Sequence, residues 1–159
     1  MKAILISLLV VFLIFTGGFF RGQTNNLGSE QIFKPGEVLN YEMSYGWIKG
    51  GEASLNLQQV NYDGKDAYHV KAEGRTTGIA HTLYNVKDVY ESYFDPQTGM
   101  PYKSVMNLKE GKYRNYNEVY YNHSAGTLVS KQSGKKQIDK KEIFDIVSAF
   151  YQLRKAWIT

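Results

Sequence analysis

The chain has no cysteine among its 159 residues. That absence excludes disulfide bracing, thiolate zinc sites, iron–sulfur clusters and thiol nucleophiles. It also excludes anchoring through an acylated cysteine. Histidine is scarce, with only His69, His81 and His123, and none of them stands at metal-ligand spacing. No G-x-S-x-G elbow, P-loop or G-x-G-x-x-G run occurs. Asp88 and Glu91 lie an odd number of positions apart on one predicted strand, so they face opposite sides and make a poor acid–base pair. The residues therefore point to no catalytic centre, no metal and no cofactor, and to a protein that is not an enzyme.

Excess charge is missing too. The formal balance of +4 includes Lys2 and Arg21; without the first twenty-two residues it falls to +2, with 17 basic against 15 acidic groups. Nucleic acid is not an expected partner. Lys135, Lys136, Lys140 and Lys141 gather around one predicted turn and read as a solvated loop.

Long apolar runs are confined to the start. Met1 and Lys2 precede an apolar stretch from Ala3 to Phe15, with small residues at Thr16, Gly17, Gly18 and Gly22. This layout predicts an export signal over residues 1–22. Carried on to Phe20, the stretch has the minimum length of an uncleaved membrane anchor, which is the alternative and the one expected route to membrane association. Either way the domain is expected outside the cytoplasm, in the periplasm or at the outer membrane. Residues 23–32 are polar and form a flexible lead-in.

From Phe33 onward the period is two. A Pro35-Gly36 turn precedes Leu39, Tyr41, Met43 and Tyr45, which alternate with polar residues. Trp47 to Gly51 is read as a turn, after which Ala53, Leu55 and Leu57 resume the alternation. Asp63-Gly64 is a strong hairpin signal ahead of Tyr68, Val70 and Ala72. Residues 76–86 lose the alternation and suit a short helical turn. Strand character returns over 88–94, 102–109, 112–121 and 127–131, each separated by Gly- or Asn-rich turns. Local turns at this spacing predict a meander with one core. Near the end, Ile143, Ile146, Val147, Phe150 and Leu153 take the helical spacing of three and four. Asp139 is the expected N-cap, with Glu142 as its capping-box partner. Arg154 shares the apolar stripe and Asp145 lies nearly opposite. Arg154 is expected to snorkel into water rather than pair with a carboxylate on the sheet.

The run Phe33-Lys-Pro-Gly-Glu-Val-Leu-Asn-Tyr41, the Gly50-Gly51-Glu-Ala-Ser-Leu55 hairpin and Asp145-Ile-Val-Ser-Ala-Phe-Tyr-Gln-Leu-Arg154 resemble an exported bacterial family, domain of unknown function 3108. Leu83-Tyr-Asn-Val-Lys-Asp88 and Tyr90-Glu-Ser92 fit its middle part. The resemblance implies a mainly β fold, a curved antiparallel YmcC-like β-meander or half-open barrel, with one amphipathic helix near the C-terminus. It implies no catalytic residues. It further implies that strands follow the helix, so that residues 33–159 form a single domain truncated at its C-terminus, with Ala156 to Thr159 strand-like.

Thirteen tyrosines stand out. On the strand at 112–121, Tyr116 and Tyr120 face away from Tyr113 and Tyr121, so one set can fill the core while the other lines an open face with Arg114, Lys112 and Glu118 beside it. Tyrosine presents an apolar plate with a polar tip, suited to sugar rings or to lipid tails and headgroups. The expected ligand residues are Tyr116, Tyr120 and Arg114, for a glycan or an amphiphilic lipid. The alternative is an assembly module that binds another envelope protein through an exposed strand edge.

Overall fold

A computed structural model describes residues 33–138 and 142–158. The predicted export signal, the lead-in, the Asp139 cap and Lys140-Lys141 lie outside these described residues. Eight strands run in sequence order through one sheet, every neighbouring pair antiparallel. They are β1 (Val38–Tyr45), β2 (Ile48–Tyr62), β3 (Lys65–Thr76), β4 (Lys87–Phe94), β5 (Pro101–Glu110), β6 (Tyr113–Asn122), β7 (Thr127–Ser130) and β8 (Gly134–Gln137). The sheet is curled but does not close. Helix α1 (Gly78–Leu83) connects β3 to β4, and α2 (Ile146–Ile158) follows the sheet. No helix among the described residues is long and apolar enough to cross a membrane.

The hairpins explain the register. Asp63 and Gly64 take φ of 50° and 79°, so Tyr62 pairs directly with Lys65. Both positions need positive φ, which Asp and Gly adopt at least cost. That register then propagates. Leu57 opposes Val70, Val70 opposes Ser92, and Ser92 opposes Ser104, so one face collects the small and apolar side chains. Helix α2 rests on this face against β4. Phe33, Leu57, Tyr68, Val70 and Phe94 close over Val147 and Tyr151 of the helix. Tyr151 is the hub, its ring meeting Phe33 edge-on at 4.9 Å and Phe150 edge-on at 5.7 Å.

Several expectations are corrected. The turn at Trp47 is tighter than read, and β2 begins at Ile48 and runs for 15 residues. One residue of β2, Gly50, is left over against β1 and is absorbed by a register shift between Met43 and Ser44. Gly51 sits there because a Cβ would lie 3.0 Å from the Arg75 carbonyl oxygen. Lys135 and Lys136 are not in a loop but in β8, a four-residue edge strand. Short, lysine-bearing edges resist pairing with another chain.

The helix also starts and ends later than its spacing suggested. Asp145 is its N-cap: the Asp145 carboxylate accepts the N–H groups of Val147 at 2.9 Å and Ser148 at 3.1 Å. The Ser148 hydroxyl accepts the Asp145 N–H at 3.0 Å, a reciprocal cap that stops the helix from extending toward Ile143. The buried Ser92 hydroxyl donates to the other Asp145 oxygen at 2.6 Å and ties the cap to β4. Ala156 and Trp157 are helical, not strand-like.

Arg154 does not simply snorkel. Its guanidinium grips the Glu37 carboxylate with two hydrogen bonds, 2.8 and 2.9 Å long. It lies over Phe33 at 4.9 Å and Tyr151 at 5.2 Å. Glu37 is not on a strand but ends the Pro35-Gly36 turn, which is bound to β2 through Gly36 N–H to Leu57 O and Leu57 N–H to Glu37 O. The apolar stripe and the turn together leave the guanidinium half-buried, where a carboxylate partner offsets the lost hydration.

Candidate ligand-binding face

The face opposite α2 carries the tyrosines. Strand β6 places Tyr116, Glu118 and Tyr120 on one side by its two-residue period. Glu118 is only 6% exposed and sits between two exposed rings, Tyr116 at 49% and Tyr120 at 38%. Both phenol hydroxyls donate to Glu118, that of Tyr120 at 2.5 Å. Two lysines complete the set from the neighbouring side of each strand: Lys131 at 2.7 Å and Lys103 at 3.0 Å. The same ammonium groups lie near the rings, Lys103 over Tyr120 at 5.2 Å and Lys131 over Tyr116 at 5.9 Å. Hydrogen bonds from Lys131, Tyr116, Tyr120 and Lys103, in that order, hold the Glu118 carboxyl far below its ordinary range.

The cluster continues across the sheet. His69 opposes Tyr93, Tyr93 opposes Lys103, and Lys103 opposes Tyr120, giving a row of four side chains from β3 to β6. His69 stacks on Tyr93 with ring centres 4.2 Å apart and bonds to Glu91 at 2.8 Å. Tyr62 extends the row, packing on Tyr93 at 5.2 Å and stacking on Tyr102 at 5.9 Å. The Tyr102 hydroxyl donates to Asp95 at 2.8 Å. Burial and that carboxylate push the Tyr102 phenol up to about 12.

Of the residues expected to bind ligand, Tyr116 and Tyr120 are brought together. Arg114 is not with them. Its Nη1 donates to the carbonyls of Gly111 at 2.8 Å and Tyr113 at 2.7 Å, turning it into a cleft at the end of the sheet. Tyr113 is exposed rather than core, whereas Tyr121 lies on the helix side of β6, within 3.1 Å of the Ser104 hydroxyl. Sequence reading placed Glu118 beside the tyrosines but missed that it organises them; the Tyr-x-Glu-x-Tyr spacing is the signal. It also missed a carboxyl pair at the β5–β6 end, where burial and then nearby Asp88 push Glu110 up. Asp88 and Glu91 do face opposite sides. Among the described residues no three His, Asp or Glu side chains gather as a metal site.

Glu118 has a pH signature. Its folded carboxyl is depressed, so its stabilising effect is present above the unfolded value, about 4.3, and is lost as pH falls toward the folded one. Glu118→Gln should therefore show a stability deficit in urea unfolding that is constant from pH 7 to 5 and shrinks at pH 3. A deficit unchanged at pH 3 would mean that Glu118 acts by shape, not by charge.

A curled, unclosed antiparallel meander with one helix-covered face and one aromatic, charged face defines a β-sheet protein of the meander class. The chain belongs to the family described as a protein of unknown function, DUF3108, whose model matches residues 40–158. No curated protein and no solved structure matches it.

Proposed function

We propose that this is an exported, non-catalytic envelope protein of YmcC-like fold that holds a glycan or amphiphilic ligand on the tyrosine face. One observation carries the reading: Glu118 consumes the hydroxyls of Tyr116 and Tyr120 while leaving their rings open to solvent. Such rings offer flat apolar plates, and the lysines beside them offer donors at the rim. A sugar ring has the matching pattern, an apolar C–H face bordered by hydroxyls. A lipid with a polar headgroup has the same two-part chemistry. Export and the fold type rest on the N-terminal pattern and the family resemblance.

The test is a double substitution. Tyr116→Ala with Tyr120→Ala should abolish retention of a co-purifying ligand, read by native mass spectrometry of the full chain. The melting temperature should fall no further than in Tyr116→Phe with Tyr120→Phe, which loses the same hydrogen bonds to Glu118 but keeps the rings, because both rings are exposed. Retained ligand, or a fall in melting temperature well beyond that of the phenylalanine variant, would return these rings to a purely structural role.

A second reading has its own observation. Because the sheet does not close, the outer edge of β1 has no strand partner among the described residues. Its eight residues could accept a strand from another envelope protein. Capture of a protein that is lost when proline replaces Asn40, with no bound small molecule, would favour this reading over the ligand face.

A further inference from the structure

The end of the sheet that holds α1 combines two features that the tyrosine face does not use. The first is apolar exposure. The β1–β2 turn presents Trp47 at 91% exposure, and the β3–β4 connection presents Ile79 at 62%, Leu83 at 80% and Tyr84 at 47%. These segments are joined: Thr77 N–H donates to Gly50 O at 3.0 Å, and Gly111 N–H to Asn85 O at 2.7 Å. The β1–β2 turn, α1 and the β5–β6 turn thus form one end. Exposed Trp, Ile and Leu gathered at one end of a sheet are unusual for a surface that only meets water.

The second feature is charge. A cleft of about 250 Å³ opens between the α1–β4 link and the β5–β6 turn, lined by His81, Lys87, Lys109 and Arg114 among others. Among the described residues Lys87, Lys109 and Arg114 make no ion pair. The carboxylates nearby are engaged: Glu52 by Arg75 and Lys49, Glu73 by Lys71, and Asp88 by the Lys109 backbone N–H at 3.0 Å and by Glu110, whose carboxyl is pushed up by burial and by Asp88. Arg114 is already oriented by its two carbonyl contacts, which leaves its remaining N–H groups for an anion.

We propose that this end is a membrane-docking tip that inserts Trp47 and Leu83 at the surface of an anionic bilayer and seats lipid phosphate in the basic cleft. Trp, Leu and Tyr are the side chains that settle at the headgroup level, and Lys and Arg are drawn to anionic lipid. The cleft and the apolar end are continuous, since Tyr84 packs against Gly111 of the cleft. The tip is distinct from the N-terminal segment, the one route to a membrane expected from the sequence, and it does not depend on the proposed ligand.

Trp47 is its own reporter. The chain has two tryptophans, Trp47 and exposed Trp157, and Trp157→Phe leaves Trp47 alone. The full chain with this substitution is titrated with vesicles of phosphatidylcholine, with or without phosphatidylglycerol, carrying brominated acyl chains. The expected result is a blue shift and bromine quenching of Trp47 on the anionic vesicles, and little of either on neutral ones. Lys87→Gln with Lys109→Gln should weaken this partitioning about thirty-fold, from roughly fivefold for each basic group near the surface. Leu83→Ala should weaken it as well. Because the N-terminal segment has no tryptophan, vesicle binding through it alone leaves Trp47 unshifted, and that outcome overturns the proposal. So does a shift of equal size on neutral vesicles that ignores the lysine changes. A shift produced only by an added envelope protein would overturn it too, and would make the tip a protein interface.

Discussion

Asp145→Ala should lower stability by about 1.5–5 kcal/mol, the sum of a lost helix cap at about 0.5–2 and of the buried Ser92 hydroxyl left without a partner at about 1–3. The reason lies in two directions of bonding at one carboxylate. One oxygen caps α2 through Val147 and Ser148, and the other receives the Ser92 hydroxyl from β4. Ser92 is fully buried, so water cannot replace its missing acceptor, whereas the Ser148 hydroxyl keeps the Asp145 carbonyl at 3.2 Å. Asp145→Asn is the control, because asparagine caps nearly as well as aspartate and its amide can turn toward Ser92. Urea unfolding of both variants decides the matter. A loss below about 1 kcal/mol for the alanine variant would mean that the cap contributes no more than an exposed one.

The second large effect belongs to Arg154. An exposed ion pair contributes about 0–1 kcal/mol and breaking a buried one costs about 3–5, and the half-buried Glu37–Arg154 pair should fall between, at about 2–3 for Arg154→Ala. Part of that loss is packing, because the guanidinium covers Phe33 and Tyr151. Arg154→Lys should recover little, since an ammonium cannot make the two-pronged contact or stack flat on a ring. A double-mutant cycle with Glu37→Gln separates the pair from the packing. Independent, additive losses would show that the two groups do not couple.

These two anchors also mark where the sequence stops being readable. The strands were legible because burial on one face forces a period of two, as in Tyr68, Val70 and Ala72. The Asp63-Gly64 hairpin was legible because few residues tolerate its backbone. Strand β8 was not, since its Lys135 and Lys136 carry no alternating apolar signal and it forms only by pairing with β7. The start of α2 was misplaced because Ile143 keeps the helical spacing, whereas the cap depends on Ser92, 53 positions away. The Glu37–Arg154 pair joins residues 117 positions apart, and no local pattern announces it. At the tyrosine face, strand parity was enough to put Tyr116 and Tyr120 on one side. The role of Glu118 was hidden because its two lysines arrive from β5 and from the turn after β7.

The unbroken order of strands has a consequence for how the chain reaches this state. Every strand pairs with its sequence neighbour, so the sheet can zip hairpin by hairpin with short loops to close. Among the described residues only α2 must travel back, from beyond β8 to β4 and on to the turn at Glu37. Docking of that helix is therefore the expected late event. Until it occurs, the sheet stands assembled with Tyr68, Val70 and Phe94 facing water. An undocked sheet of this kind is the species most exposed to aggregation and to proteases. Interactions made at the last step chiefly govern how fast the folded protein opens again, so Asp145 and Arg154 set its lifetime more than its rate of formation.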